Sequence, residues 1–401
     1  MSSPASNGSA RRVVIVGGGC AGITVAARLA RQNRFSIQVV DPSQTHDYQP
    51  MWTLVGGGVV PRETTRRRQA DVIPPGVEWV QEAVTEFDPD RNVVKTAQGR
   101  ELSYDALVVA AGIQLDWGAV KGLEGNIGRN GICSNYSYDT VSTTWDAIRN
   151  FTGGDAVFTH PATPIKCGGA PQKIMYLAED AFRRRGVRDK ARIHFYSGDP
   201  TIFKAEHYAK TLMKVIERKG IEPPHFRHSL KEVRVDAREA VFDDLAANRE
   251  VVQRFDMLHV TPPMSAPDFI KRSPLAASTG WVEVDKATCR HVRFPNVFAL
   301  GDCSSLPTSK TGAAIRKQAP VVVTNLTDVL SGREPSARYD GYTSCPLVTG
   351  YGKLILAEFD YDLKPRESFP FDQNKERWTM YQLKRHILPR LNWNGMLKGR
   401  A

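Results

Sequence analysis

Arg12-Val13-Val14-Ile15-Val16-Gly17-Gly18-Gly19-Cys20-Ala21-Gly22 is the stretch that decides the fold. The Val/Ile run is short, unbroken and β-branched, the pattern of a strand buried on both faces of a parallel sheet. It leads directly into a Gly-x-Gly-x-x-Gly turn made of Gly17, Gly19 and Gly22, and residues 23–31 follow with a helical pattern. A second strand, residues 36–40, ends at Asp41, 19 residues beyond Gly22. Strand, glycine turn, helix, strand and acid stand in the order of a complete βαβ dinucleotide unit. Gly17 permits the tight turn, Gly19 lets a pyrophosphate approach the backbone, and Gly22 lets helix and strand pack closely. The helix N-terminus offers unpaired N–H groups to phosphates, and Asp41 is placed to accept from ribose hydroxyls.

Two later stretches specify the nucleotide. Tyr104-Asp105-Ala106-Leu107-Val108-Val109-Ala110-Ala111-Gly112 reads as a buried strand ending in small residues. Asn296-Val297-Phe298-Ala299-Leu300-Gly301-Asp302-Cys303 is another, followed by a helix start at Ser309-Lys310-Thr311-Gly312. Both resemble the second and third FAD motifs of flavoproteins with two dinucleotide-binding domains. In that pattern Gly301 allows close approach and Asp302 accepts from the ribityl chain at a strand's carboxyl end. The implied fold is α/β, with two Rossmann-like, glutathione reductase-like domains. The FAD domain is expected at residues 11–120 and 275–330, the second Rossmann-like domain at 121–274, and a C-terminal extension at 331–401.

The 401 residues carry a formal charge of +11, which favours anionic partners. No nucleic-acid-binding module appears, so a nucleic-acid partner is not expected. Six scattered cysteines form no C-x-x-C pair, which argues against zinc and against a disulfide-stapled secreted scaffold. Residues 1–10 are rich in Ser, Gly and Ala and are expected to be disordered. Arg11-Arg12 and the apolar run after it imitate a signal peptide, but Gly17, Gly18, Gly19 and Gly22 interrupt the run and Arg28 closes it. No stretch of about 20 apolar residues exists to form a spanning helix.

The second domain departs from its type at its first turn. The strand Ala156-Val157-Phe158-Thr159 is followed by Pro164-Ile165-Lys166-Cys167-Gly168-Gly169-Ala170-Pro171-Gln172-Lys173, with no second glycine fingerprint for a nicotinamide nucleotide. A cysteine at a helix start, with Lys166 and Lys173 nearby, has the context of a low-pKa nucleophile. The same context also suits a small buried hydrophobe. Cys345, in Tyr342-Thr343-Ser344-Cys345-Pro346, reads by itself as a buried structural cysteine. Cys20, Cys133, Cys289 and Cys303 are read as packing or loop residues, and His160 and His207 as surface or supporting residues rather than catalytic ones.

Longer motifs join these thiols. Lys166-Cys167-Gly168-Gly169-Ala170-Pro171-Gln172-Lys173-Ile174-Met175-Tyr176-Leu177, Met257-Leu258-His259-Val260-Thr261-Pro262-Pro263-Met264, Leu306-Pro307-Thr308-Ser309-Lys310-Thr311 and Asp340-Gly341-Tyr342-Thr343-Ser344-Cys345-Pro346-Leu347-Val348-Thr349-Gly350-Tyr351 together resemble the mitochondrial-like sulfide:quinone oxidoreductases. The resemblance runs from Arg12 to about Asn394. It implies non-covalent FAD held by Gly17, Gly19, Asp41, Gln49, Asp302 and Lys310, with Cys20, Ala21, Gly22, Val84, Gly112, Gly301 and Thr311 around the same cofactor. It implies a redox-active disulfide between Cys167 and Cys345, hydrogen sulfide as electron donor, quinone as acceptor, and a small thiol or sulfide as sulfur acceptor. Cys345 is expected to carry the persulfide and Cys167 to face the flavin as a thiolate, with Lys310 stabilising negative charge on the reduced flavin. No metal is implied.

Residues 375–401 hold seven Lys/Arg against one Glu, interleaved with Trp378, Met380, Tyr381, Leu383, Ile387, Leu388, Leu391 and Trp393. That composition suits a helix lying on a membrane surface, or a basic amphipathic helix packed on its own protein. With the resemblance, the extension is expected to face quinone and membrane. The location implied is peripheral on an inner membrane, facing the cytoplasm in a bacterium or the matrix in a mitochondrion. The mitochondrial members continue beyond the match to Trp393-Asn394 with further apolar residues, so either weaker anchoring or a truncated chain is expected here. The competing readings are a type II NADH:quinone oxidoreductase, which needs nicotinamide at the Cys167 turn, and a non-enzymatic FAD-binding redox sensor.

Overall fold

Val13, Val14 and Ile15, all fully buried, lie in the central strand of a five-stranded parallel sheet. The computed structural model describes residues 10–401, so the expected disorder of residues 1–10 falls, except for Ala10, outside the described residues. The chain opens with β1 (Arg11–Val16), α1 (Cys20–Ala30), β2 (Phe35–Val40), β3 (Val77–Val80) and β4 (Ala106–Val109). It crosses into β5 (Ile132–Cys133), β6 (Gly154–His160), α2 (Ala170–Arg184), β7 (Ala191–Ser197), α3 (Glu206–Arg218), β8 (His225–Phe226) and β9 (Met257–His259). It returns as β10 (Val297–Ala299) and α4 (Gly312–Leu330), and ends in the hairpin β11 (Thr343–Gly350) and β12 (Lys353–Phe359) followed by a helical tail from Trp378.

The first sheet has the order β10-β4-β1-β2-β3 and the second β5-β9-β6-β7-β8. Every pairing in both is parallel. Parallel strands need crossovers and are covered on both faces, which is why the Val/Ile run of β1 and the strands β4 and β10 read as continuous apolar runs. The turns after β1, β6 and β10 lie at the carboxyl ends of their strands, where open α/β sheets bind ligands. Cys133, expected in a loop, instead sits fully buried in β5.

The hairpin attaches differently from what its place in the sequence suggests. Leu347, Val348 and Leu354 to Ala357 join the second core beside Ile174, Leu177 and Ala178 of α2. A methyl group at Gly169 would stand 2.2 Å from the end of the Leu347 side chain, so the loop after Cys167 meets β11 closely there. The tail then crosses back, and Trp393, Met396 and Leu397 are buried in the first core. The expected tail helix runs without a gap from Trp378 to Lys398, changing between α, π and 3-10 winding over Trp378–Gln382, Leu383–Ile387, Leu388–Arg390, Leu391–Gly395 and Met396–Lys398.

Candidate active site

The glycine turn shows which glycines serve the protein and which serve something else. Gly17 has a φ of +106°, and a methyl at Gly22 would lie 1.8 Å from Gly17 O, so both are required by the backbone itself. A methyl at Gly19 would meet nothing within 4 Å, and Gly19 lines an open cavity. α1 begins there with no side-chain cap and no acid in its first turn, so its leading N–H groups are free to face an anion. Asp41 Oδ2 accepts from Gly18 N at 2.5 Å and its Oδ1 from Ser43 N at 2.8 Å, while burial raises its pKa.

The cavity has a volume of about 680 Å³ and runs from this turn to Cys167. Of the residues nominated from sequence, Gly19, Cys20, Ala21, Asp41, Gln49, Gly112, Cys167, Asp302, Lys310 and Thr311 line it. Gly17 and Gly22 shape the turn from behind, and Gly301 sits at a φ of +71° beneath Asp302. Val84 is not among the lining residues: it opens the strand Val84–Asp88, and its side chain packs into the first core. Cys345 is fully buried behind Cys167.

Cys167 and Cys345, 178 residues apart in sequence, bring their sulfurs to 3.8 Å, both as free thiols. Lys173, near the start of α2, points its Nζ back to within 3.0 Å of Cys167 Sγ. The Cys167 pKa lies well below its ordinary value. The hydrogen bond from the Cys345 thiol contributes most, burial opposes it, and the charges of Lys173 and Lys384 add to the lowering. Cys345 is pushed the other way, up, by the same hydrogen bond and by burial. Cys167 also holds a φ of +57°, unusual for a residue with a Cβ, and its N–H donates to Lys310 O at 2.9 Å.

The lysines divide their tasks in a way the sequence order conceals. Lys166, next to Cys167 in the chain, turns away and donates to Gln49 Oε1 at 2.7 Å and Tyr136 O at 2.9 Å. Burial brings its pKa down to about 8. Lys310 donates to the Asp302 and Ser304 carbonyls and lies 3.7 Å from the centroid of the Trp281 ring. Lys384, from the tail, donates to Pro50 O at 2.9 Å, and burial, followed by the Lys173 charge, brings its pKa down to about 7. Sequence reading missed Lys384, because nothing local ties a tail residue to a turn in another domain.

The other thiols are shifted the opposite way from Cys167. Burial pushes Cys20, Cys133 and Cys289 up to about 12 and Cys303 up to about 11. His160 is buried and brought down to about 4 by desolvation, whereas His207 is half-exposed near Glu367. Among the described residues no group of three or more His, Cys, Asp or Glu is arranged to hold a metal.

Residues 11–140 match the pyridine nucleotide-disulphide oxidoreductase family. The mitochondrial sulfide:quinone oxidoreductase of Mus musculus is 50% identical over 389 residues, covering 96% of this chain and 86% of that protein. That of Dictyostelium discoideum is 48% identical, covering 97% and 86%. The X-ray structure of the sulfide:quinone oxidoreductase from Aquifex aeolicus superposes with a TM-score of 0.83 at 18% identity, covering 98% of this chain and 92% of that one, and so shares its fold. With near-full-length identity on this scale, the chain belongs to the mitochondrial sulfide:quinone oxidoreductase family.

Proposed function

We propose that the chain oxidises hydrogen sulfide and passes the electrons through non-covalently bound FAD to a quinone. The observation that carries this reading is the Cys167–Cys345 pair at 3.8 Å, with Lys173 Nζ 3.0 Å from Cys167 Sγ, at one end of a cavity that begins at a dinucleotide turn. The residues present fit FAD. Gly19, Gly112 and Gly312 each leave open space where a Cβ would project, and α1 presents uncapped N–H groups. Gly19, Asp41, Gln49, Asp302, Lys310 and Thr311 would hold it, as lining residues of the same cavity.

In the oxidised pair, HS⁻ attacks Cys345 Sγ. A new S–S bond forms, the Cys167–Cys345 bond breaks, and Cys167 leaves as a thiolate. Lys173 and Lys384 lower the cost of that charge. Cys167 lines the cavity and Cys345 lies behind it, which supports Cys167 as the sulfur facing the cofactor and Cys345 as the persulfide carrier. A small thiolate or a second sulfide takes the outer sulfur from Cys345, and re-forming the disulfide releases one electron pair. FAD supplies the acceptor for that pair and the relay to quinone.

Leu383, Leu388 and Leu391 of the tail line the cavity and make an apolar route for a lipid-soluble quinone. Trp378 and Ile387 are 64% and 49% exposed, and among the described residues no helix is long and apolar enough to cross a membrane. The reading is peripheral attachment through the basic tail; the relatives' names support a mitochondrial location, and the inner membrane and its matrix side are proposed from the resemblance alone.

The test is anaerobic addition of sulfide with a short-chain quinone to the wild type, Cys167→Ser and Cys345→Ser. Flavin bleaching and turnover are expected in the wild type alone. Complete bleaching by sulfide in either variant would overturn the mechanism, and rapid bleaching by NADH with none by sulfide would favour an NADH:quinone oxidoreductase.

A further inference from the structure

Four lysines line the cavity: Lys166, Lys173, Lys310 and Lys384. Three of them have a charge or a full set of acceptors in the protein. Lys173 reaches the Cys167 sulfur, and the Lys384 charge acts on the same thiol. Lys310 is engaged by the Asp302 and Ser304 carbonyls and the Trp281 ring, and the Asp302 charge supports it. Lys166 differs. Its Nζ donates only to neutral oxygens, Gln49 Oε1 at 2.7 Å and Tyr136 O at 2.9 Å, and lies 5.0 Å from the centroid of the Trp52 ring. No carboxylate of the described residues forms an ion pair with it; Asp302 and Asp47 act on it only through their fields. An ammonium has three N–H donors, so one is left over. Lys166 is half-buried and lines the cavity, where an enclosed cation without a counter-charge is costly unless a ligand brings one.

The place of Lys166 narrows the choice of ligand group. Its backbone is pinned: the N–H donates to Met264 Sδ at 3.4 Å, a parallel bridge joins it to Lys310, and the next N–H, that of Cys167, donates to Lys310 O at 2.9 Å. Lys166 and Cys167 thus enter the cavity from one fixed turn. In the proposed reaction Cys167 is the sulfur that faces the cofactor. The Lys166 ammonium therefore stands at the redox-active end of the cavity, away from the phosphate turn at Gly19. A flavin ring is neutral when oxidised and becomes an anion on taking up two electrons and one proton. A fixed cation beside it favours the reduced form, and only such a difference between two states moves their equilibrium.

We infer that Lys166 Nζ donates its remaining hydrogen bond to the reduced flavin ring and that its charge raises the flavin reduction potential. This rests on the FAD reading proposed above. It gives the residue next to Cys167 a part in drawing the electron pair out of the thiols, separate from the part Lys173 plays at the sulfur.

The experiment compares the wild type with Lys166→Met, Lys166→Gln and Lys166→Arg. The flavin potential is measured by anaerobic equilibration with a reference dye, and affinity for oxidised FAD by fluorescence quenching in apoprotein. Loss of a hydrogen bond to a charged group implies that Lys166→Met binds reduced flavin about tenfold to a hundredfold more weakly relative to oxidised FAD. That is a potential about 30–60 mV more negative, at about 30 mV per tenfold for a two-electron couple. Affinity for oxidised FAD should stay near the wild-type value, because the oxidised ring is neutral. Lys166→Arg keeps the charge and should keep most of the wild-type potential. Lys166→Gln replaces the charge with a neutral amide donor, so it should follow Lys166→Met, and it decides the matter if Lys166→Met does not fold. A wild-type potential in Lys166→Gln or in a folded Lys166→Met, or an equal fall in Lys166→Arg, would overturn the assignment. Weaker binding of oxidised FAD with no change of potential would mark Lys166 as a structural contact and overturn it too. A wild type that binds no FAD would overturn the proposed function itself, and this inference with it.

Discussion

Replacing Lys173 by methionine removes an ammonium that lies 3.0 Å from Cys167 Sγ and leaves a side chain of similar shape. Lys173 is 3% exposed, so solvent cannot replace the lost donor freely. A hydrogen bond to a charged group contributes about 1.5–3 kcal/mol. At about 1.4 kcal/mol per pKa unit, the Cys167 pKa should rise by about 1–2 units. Lys384 resists part of this change. Its own pKa, about 7, is held down first by burial and then by the Lys173 charge, so losing Lys173 leaves Lys384 more fully protonated near neutrality. The single variant should therefore fall at the low end of the range, and Lys173→Met with Lys384→Met should shift Cys167 further than either change alone. The assay is the pH dependence of iodoacetamide alkylation in anaerobically reduced protein, read at the Cys167 peptide by mass spectrometry. A thiolate reacts above its pKa, so the variant loses reactivity between the old and new midpoints and regains it above the new one. The two thiols titrate together, and the midpoint belongs to the pair. A Lys173→Met profile that superimposes on the wild type, or moves to lower pH, would refute the claim that Lys173 stabilises the thiolate.

Two further outcomes follow from the glycine turn and the tail. Gly22→Ala places a methyl 1.8 Å from Gly17 O and should cost at least about 1–3 kcal/mol in thermal or urea unfolding. Gly19→Ala has free space and an ordinary φ of −73°, so it should melt like the wild-type apoprotein yet be purified with little flavin; retained flavin would show that nothing approaches that backbone. Trp378→Ala combined with Ile387→Asp should reduce flotation with anionic vesicles while leaving turnover with a short-chain soluble quinone intact, because both side chains are exposed and neither lines the cavity. Unchanged flotation would move the membrane contact elsewhere.

Much of the site was legible where chemistry and local backbone coincide. The glycine turn, Asp41, the Gly301-Asp302 strand end and the Pro171 helix start all lie where their local patterns place them, because each depends on neighbours within a few residues. Lys166 and Lys173 show the limit. Both are close to Cys167 in sequence, but only Lys173 reaches the sulfur. A residue on a helix points back toward the preceding turn, so Lys173 on α2 is aimed at the loop before it. Lys166 precedes the helix and follows its own loop toward Gln49. Val84, carried over by likeness, has its side chain in the first core.

By itself, the sequence determined the parallel strands, the dinucleotide turn, the missing second fingerprint and the presence of two motif-borne cysteines, since hydrophobic period and turn chemistry are local. The tertiary structure alone decided which charges act on the thiols and which tail residues line the cavity. The hairpin had to pack on α2 to set Cys345 behind Cys167, and the tail had to return to the first core to bring Lys384 and Asn392 to the same cavity. Those contacts join residues hundreds of positions apart, and they arise from burying apolar faces against distant partners, which no local pattern records.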